Sequence, residues 1–199
     1  MTLARAHLFI DYQNVHLSGH EMFAAFGAPL HASLIHPAAL ADQITAVRNT
    51  KVFQPVAIER IHVYRGQPSS HQDPTAAARN KAQAASWTRD RRVQMHTRTL
   101  TYPYDGGAPR EKGVDVMLAV DLIRCSITKS ADVIILASRD TDLLPALEAA
   151  YDLDGAIVET AGWSGQSRLR FRGDPPRRRL WMTELGASEF KDSLDTRDY

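Results

Sequence analysis

Three short stretches of this chain set carboxylates among residues that favour turns: Ile10-Asp11-Tyr12-Gln13-Asn14, Lys112-Gly113-Val114-Asp115 and Ser138-Arg139-Asp140-Thr141-Asp142. An aspartate or asparagine just before a helix is commonly an N-cap, and each of these acids taken alone reads that way. Brought to one place, however, they would repel one another strongly unless a cation sat among them. The donors are hard oxygens. There is one cysteine, Cys125, and the eight histidines contain no His-Glu-x-x-His pattern. Such a set suits Mg²⁺ or Mn²⁺ rather than zinc, and a cation held this way can acidify a bound water. An aspartyl phosphotransfer centre would want a second Asp two residues after Asp11, where this chain has Gln13.

The surrounding pattern says what must position these turns. His7-Leu8-Phe9-Ile10 is an apolar run ending on Asp11, and 132–138 is a second such run ending beside Asp140; both read as buried strands. Further strands are expected at 58–64, 93–100 and 156–160. Helices are expected at 13–26, 37–49, 74–91, 114–127 and 141–151, with Pro37 and Pro74 in favoured first-turn positions. The 114–127 segment is apolar on almost every face and reads as a buried helix, with Asp115 in a first turn whose dipole favours a carboxylate. Loops are expected at 103–109 and 162–176. Strands that alternate with helices and read as continuous apolar runs indicate an α/β fold with a mostly parallel sheet covered on both faces. Ligands of such sheets bind beyond the carboxyl ends of the strands. The expected organisation is a domain over 1–162, with an Arg-rich loop and C-terminal extension over 163–199 packed on or near it.

The net charge of +1 excludes a general cationic coat, but the basic residues are unevenly spread. Arg168, Arg170, Arg172, Arg177, Arg178 and Arg179 face a single acid, Asp174, and are flanked by Trp163, Phe171 and Trp181. That composition fits a phosphate-bearing partner, with Trp163 or Phe171 available to stack on a base. The competing reading is a solvated loop whose arginines pair with the acidic stretch 189–199. A lone cysteine excludes an internal disulfide framework. No apolar run approaches the roughly 18 residues of a membrane span, and the N-terminus lacks a signal-peptide layout. The expected compartment is the cytoplasm.

Taken together, IDYQN at 10–14, KGVDVMLAVDL at 112–122 and ILASRDTDLLPAL at 135–147 resemble the three signatures of NYN-domain proteins. The likeness is to the bacterial LabA-like branch of the PIN-like nuclease superfamily and spans roughly residues 5–160. It implies a PIN-like, Rossmann-like three-layer fold and metal-dependent hydrolysis of RNA. Asp11, Asp115 and Asp140 match the family's acidic site and are the expected Mg²⁺ or Mn²⁺ ligands, with Asn14 and Asp142 beside them as further catalytic residues. Lys112 and Arg139 are expected to hold the scissile phosphate, with the six arginines from Arg168 to Arg179 as a backbone clamp. The expected partner is RNA, single-stranded or structured; a homodimer is compatible with this reading and a membrane is not. Arg139 stands where the family usually carries glycine. It motivates the alternative of a catalytically silent NYN module that binds RNA or a protein. Asp121 also belongs to the family pattern, but it lies about 120° around the helix from Asp115. It is expected to be a structural partner for Lys112 or an arginine.

Overall fold

The structure, a computed structural model, describes residues 2–171 and 180–199. Its strands are β1 (Ala4–Asp11), β2 (Val56–Gln67), β3 (Val93–Thr99), β4 (Val133–Ala137), β5 (Ile157–Trp163) and β6 (Trp181–Leu185). Its helices are α1 (Tyr12–Phe23), α2 (Pro37–Asn49), α3 (Pro74–Trp87), α4 (Val114–Ile127), α5 (Leu144–Asp152) and α6 (Ala187–Asp192). The six strands form one sheet in the order β3-β2-β1-β4-β5-β6, and every pairing is parallel. A parallel sheet of this kind must be covered on both faces. One core contains Val15, Leu40, Ile44, Trp87 and Phe190, from α1, α2, α3 and α6. The other contains Leu118, Leu122, Leu144 and Leu147, from α4 and α5. The result is the expected three-layer α/β fold. All five residues of β4 are buried, which is why that strand reads as an unbroken apolar run.

The differences from the sequence reading have local causes. Helix α3 stops at Trp87 rather than near 91, because residues beyond it turn back and Asp90 accepts from the backbone and side chain of Arg92. Helix α5 is entered through a 3₁₀ turn at Thr141–Leu143, with Pro145 in its first turn. Strand β5 continues through Gly162 to Trp163, where a loop was expected, and the short apolar segment at 180–182 opens a sixth strand paired with β5. Helix α4 is not buried all round: Val116, Val120 and Ile127 are 66%, 48% and 60% exposed. Its inner face alone meets the sheet, so the apolar outer residues remain at the surface among the described residues. Between α2 and β5, Arg48 makes a buried bidentate pair with Glu159 at 2.6 and 2.7 Å. No helix among the described residues is long and apolar enough to cross a membrane.

Candidate active site: an acidic cleft at the switch point of the sheet

Strands β1 and β4 are neighbours, but the chain leaves them toward opposite edges of the sheet. A crevice opens beyond the carboxyl ends of two such strands, and the acid-bearing turns converge there. Asp11 is the last residue of β1, and Asp140 follows β4 by three positions. Asp115 reaches the same place from the first turn of α4. That helix starts after Gly113 at φ 73°, a left-handed conformation that glycine adopts without strain. Asp11, Asp115 and Asp140 line one open cleft of about 500 Å³ together with Asn14, Glu21, Arg110, Glu111 and Arg139.

Asp11 is 5% exposed. Its Oδ1 accepts the Asn14 N–H at 3.2 Å and its Oδ2 accepts the Ser138 O–H at 2.9 Å. Asp140 donates its own N–H to Ser138 Oγ at 3.0 Å and accepts the Asp142 N–H at 2.9 Å. Both aspartates are therefore helix or turn caps as well as cleft walls, so the capping role does not take them out of the cleft. A carboxylate offers about four acceptor positions, and capping does not use them all. Burial pushes the Asp11 carboxyl up to about 6, against the two hydrogen bonds that favour its charged form, and the charges of Asp115 and Glu111 push the same way as burial. Asp115, more exposed, is also raised, first by desolvation at the cleft wall and then by Asp140 and Asp142.

Glu111 was not legible as a site residue. It accepts the Gly66 N–H at 2.5 Å, and burial followed by the charge of Asp115 raises its carboxyl against that bond. A Cβ on Gly66 would stand 2.8 Å from Glu111 Cγ, so the glycine in β2 makes room for this acid. Glu21 of α1 and Arg110 are further cleft residues that the sequence reading missed.

The remaining expected residues are distributed as follows. Asn14 lines the cleft, and its Oδ1 accepts the Arg139 N–H at 3.1 Å. Arg139 lines it too, with its guanidinium 3.7 Å from Glu21. Lys112 and Asp142 are exposed beside the cleft rather than lining it. Arg168 is ion-paired with Glu184 of β6, and Arg170 is exposed. Arg172, Arg177, Arg178 and Arg179 lie outside the described residues. Trp163 cannot stack on a base: it is 2% exposed, donates to the Val15 carbonyl at 2.9 Å and packs against Phe23 and Phe190. Phe171 is half-buried against Tyr151. In the C-terminal stretch, Asp195 accepts from Trp87, Arg197 and Tyr199.

The donor chemistry of the cleft fits a hard divalent cation. Five carboxylates (Asp11, Glu21, Glu111, Asp115 and Asp140) line it against two arginines, and the most buried of them resists ionisation. Among the described residues, no three acids, histidines or cysteines stand in the close arrangement of a preassembled metal cage. The aspartates share the cleft without forming one.

A different polar cluster lies under α4 on the same sheet. His62 of β2 faces His7 of β1 at 3.4 Å and His96 of β3 at 3.2 Å, nitrogen to nitrogen. Cys125 Sγ is 3.6 Å from His7 Nδ1. At the far end His96 stands 3.8 Å from Asp121, which also accepts the Tyr64 O–H at 3.1 Å and lies 3.9 Å from Arg124. Asp121 is thus the structural partner expected, with Tyr64 and Arg124 in place of Lys112. Burial lowers all three imidazoles, His62 to about 3.

The NYN domain family model matches residues 5–169. The chain belongs to the NYN domain family. NYN domains are part of the PIN-like nuclease superfamily, and the six-stranded all-parallel sheet is consistent with a PIN-like fold. A search of curated proteins found no significant match. Among solved structures, the chain is similar to a protein of unknown function from Vibrio parahaemolyticus. The TM-score is 0.52 at 19% identity, covering 80% of this chain and 82% of that one. That likeness supports the fold.

Proposed function

We propose that this NYN domain is a metal-dependent ribonuclease of the LabA-like kind, hydrolysing RNA phosphodiester bonds in the acidic cleft. The observation that carries the reading is Asp11: a buried carboxylate at the switch point, pushed up to about 6 among other acids. Strongly perturbed groups in a cleft are candidates for chemistry. Asp11, Asp115 and Asp140 are the residues that would hold Mg²⁺ or Mn²⁺. When bound, the cation supplies an acidified water and neutralises charge on the phosphate.

The chain's own residues supply position and electrostatics. Ser138 and the Asn14 N–H fix both oxygens of Asp11, and Ser138 also accepts from the backbone of Asp140. One hydroxyl thereby ties the two acids to a common frame, as preorganised sites require. Asn14 ties the Arg139 backbone to α1, leaving the guanidinium at the rim to meet a phosphate. Asp142 acts as a peripheral charge felt by Asp115. RNA is the proposed partner, with Lys112 and Arg170 as phosphate contacts outside the cleft and Arg172, Arg177, Arg178 and Arg179 as further candidate contacts.

The test is cleavage of a labelled single-stranded RNA by the full chain with Mn²⁺, with Mn²⁺ plus chelator, and by Asp140→Asn. Cleavage that requires Mn²⁺ and Asp140 supports the reading. RNA binding without cleavage under any of these conditions would instead make the chain a silent binding module.

A further inference from the structure

The geometry points to Glu21 as an internal stand-in for phosphate that holds Arg139 until an RNA backbone displaces it. This rests on the reading of the cleft as an RNA-processing site. With five acids to two arginines on its walls, the cleft repels the polyanion it must admit. Arg139 is the cation next to the buried end of the site, between Ser138 and Asp140. Its backbone N–H is fixed on Asn14 Oδ1 at 3.1 Å, so its side chain starts from a set position. From there the guanidinium reaches Glu21 Oε2 on α1 at 3.7 Å.

That separation makes an ion pair but not a hydrogen bond. The two side chains are 41% and 71% exposed, so the pair is weak and easily exchanged. A phosphate offers the guanidinium two oxygens in the fork geometry it matches best. Glu21 therefore sets affinity by competition: an entering phosphate takes Arg139 from it, and its released charge remains at the rim. Glu21 is a positioning residue acting through Arg139. A glycine at position 139 would leave it nothing to hold.

The experiment is a double-mutant cycle with Glu21→Gln, Arg139→Gln and the double variant, each in the full chain with Mn²⁺. Affinity is read with a 2′-O-methyl single strand that resists hydrolysis, and turnover with the corresponding RNA. Glu21→Gln should tighten binding about two- to five-fold at low salt, with the change falling on KM and fading as salt rises. Arg139→Gln should weaken binding, and in that background Glu21→Gln should gain little. Equal tightening in both backgrounds, or none in either, would overturn the proposal, since Glu21 would then repel RNA generally or not act on it. If the wild type binds and cleaves RNA while the cycle shows no coupling, the competition fails alone. If the wild type neither binds nor cleaves, the ribonuclease reading fails with it. Both side chains are exposed, so melting temperatures should be unchanged; Glu21→Ala serves as a second variant should Glu21→Gln melt early.

Discussion

Helix α4 connects two polar regions built on one sheet. Its first turn brings Asp115 to the acidic cleft, while Asp121 and Cys125 further along meet the row of His7, His62 and His96. In the row, each group meets a neighbour of complementary capacity. A neutral imidazole donates from one nitrogen and accepts on the other, so His62 can bridge both neighbours without any charge. Burial favours that neutral state, and the row closes on itself. In the cleft, burial and like charge act together on Asp11, and Asp115 and Glu111 are raised as well. The row is satisfied from within, whereas the acids of the cleft repel one another, and the proposed cation would balance them. Perturbed titration alone does not mark a functional site: burial and like-charged neighbours shift His62 and Asp11 alike, but neutral imidazoles can pair with one another, whereas ionised carboxylates only accept.

The largest expected effect breaks the cleft. Asp11→Asn or Asp140→Asn should lower single-turnover RNA cleavage by about 10²–10³-fold, the scale of losing a positioned electrostatic group, while RNA affinity is kept. Equal loss of affinity and rate would make these residues substrate contacts only.

The next effect belongs to the row. Its histidines have folded pKa values below the ordinary one, so the unfolded chain binds protons first as pH falls. Stability should be complete above about pH 6.5 and drop below it, continuing toward the pKa of about 3 held by His62. Each such histidine adds a slope of at most ~1.4 kcal/mol per pH unit. Asp121 beside His96 and Glu59 near His7 moderate the drop, whereas Arg60 steepens it. Urea melts from pH 7.5 to 4.5 measure this. His62→Phe, which keeps an aromatic ring against Phe9, should flatten the dependence. An unchanged slope would show that the row does not titrate on unfolding.

A smaller effect contrasts Asp11 with an ordinary cap. Its folded pKa is raised, so the folded state holds that proton more tightly, and the ionised carboxylate costs stability increasingly as pH rises from about 3.8 to about 6. Asparagine keeps the capping oxygen and carries no charge. At pH 7.5 without divalent cations, Asp11→Asn should melt at the wild-type temperature or slightly above it. A large drop would mark Asp11 as chiefly a structural cap.

How much of this was legible depends on whether the signal is local. Asp11, Asp115 and Asp140 could be read because each sits where an apolar run or a helical pattern meets a turn, and the order of those runs fixes the sheet edge. Glu111 could not, because its place is decided by Gly66 on a strand 45 residues away. Glu21 looks like the wet face of α1 until Arg139 is seen opposite. The histidine row needs the register of three strands. Trp163 misled for a local reason: Gly162 reads as the start of a loop, yet β5 runs through it and buries the indole. The outer face of α4 shows the limit from the other side, since apolar residues declare that a helix can be covered but not which face is.

The most direct test is Mn²⁺ binding followed by electron paramagnetic resonance of the free ion, for the wild type, Asp11→Asn and His62→Phe. The expected result is a site in the wild type and in His62→Phe with similar affinity, and affinity at least about ten-fold weaker in Asp11→Asn. Undiminished binding in Asp11→Asn, or loss of binding in His62→Phe, would contradict the assignment of the cation to the acidic cleft.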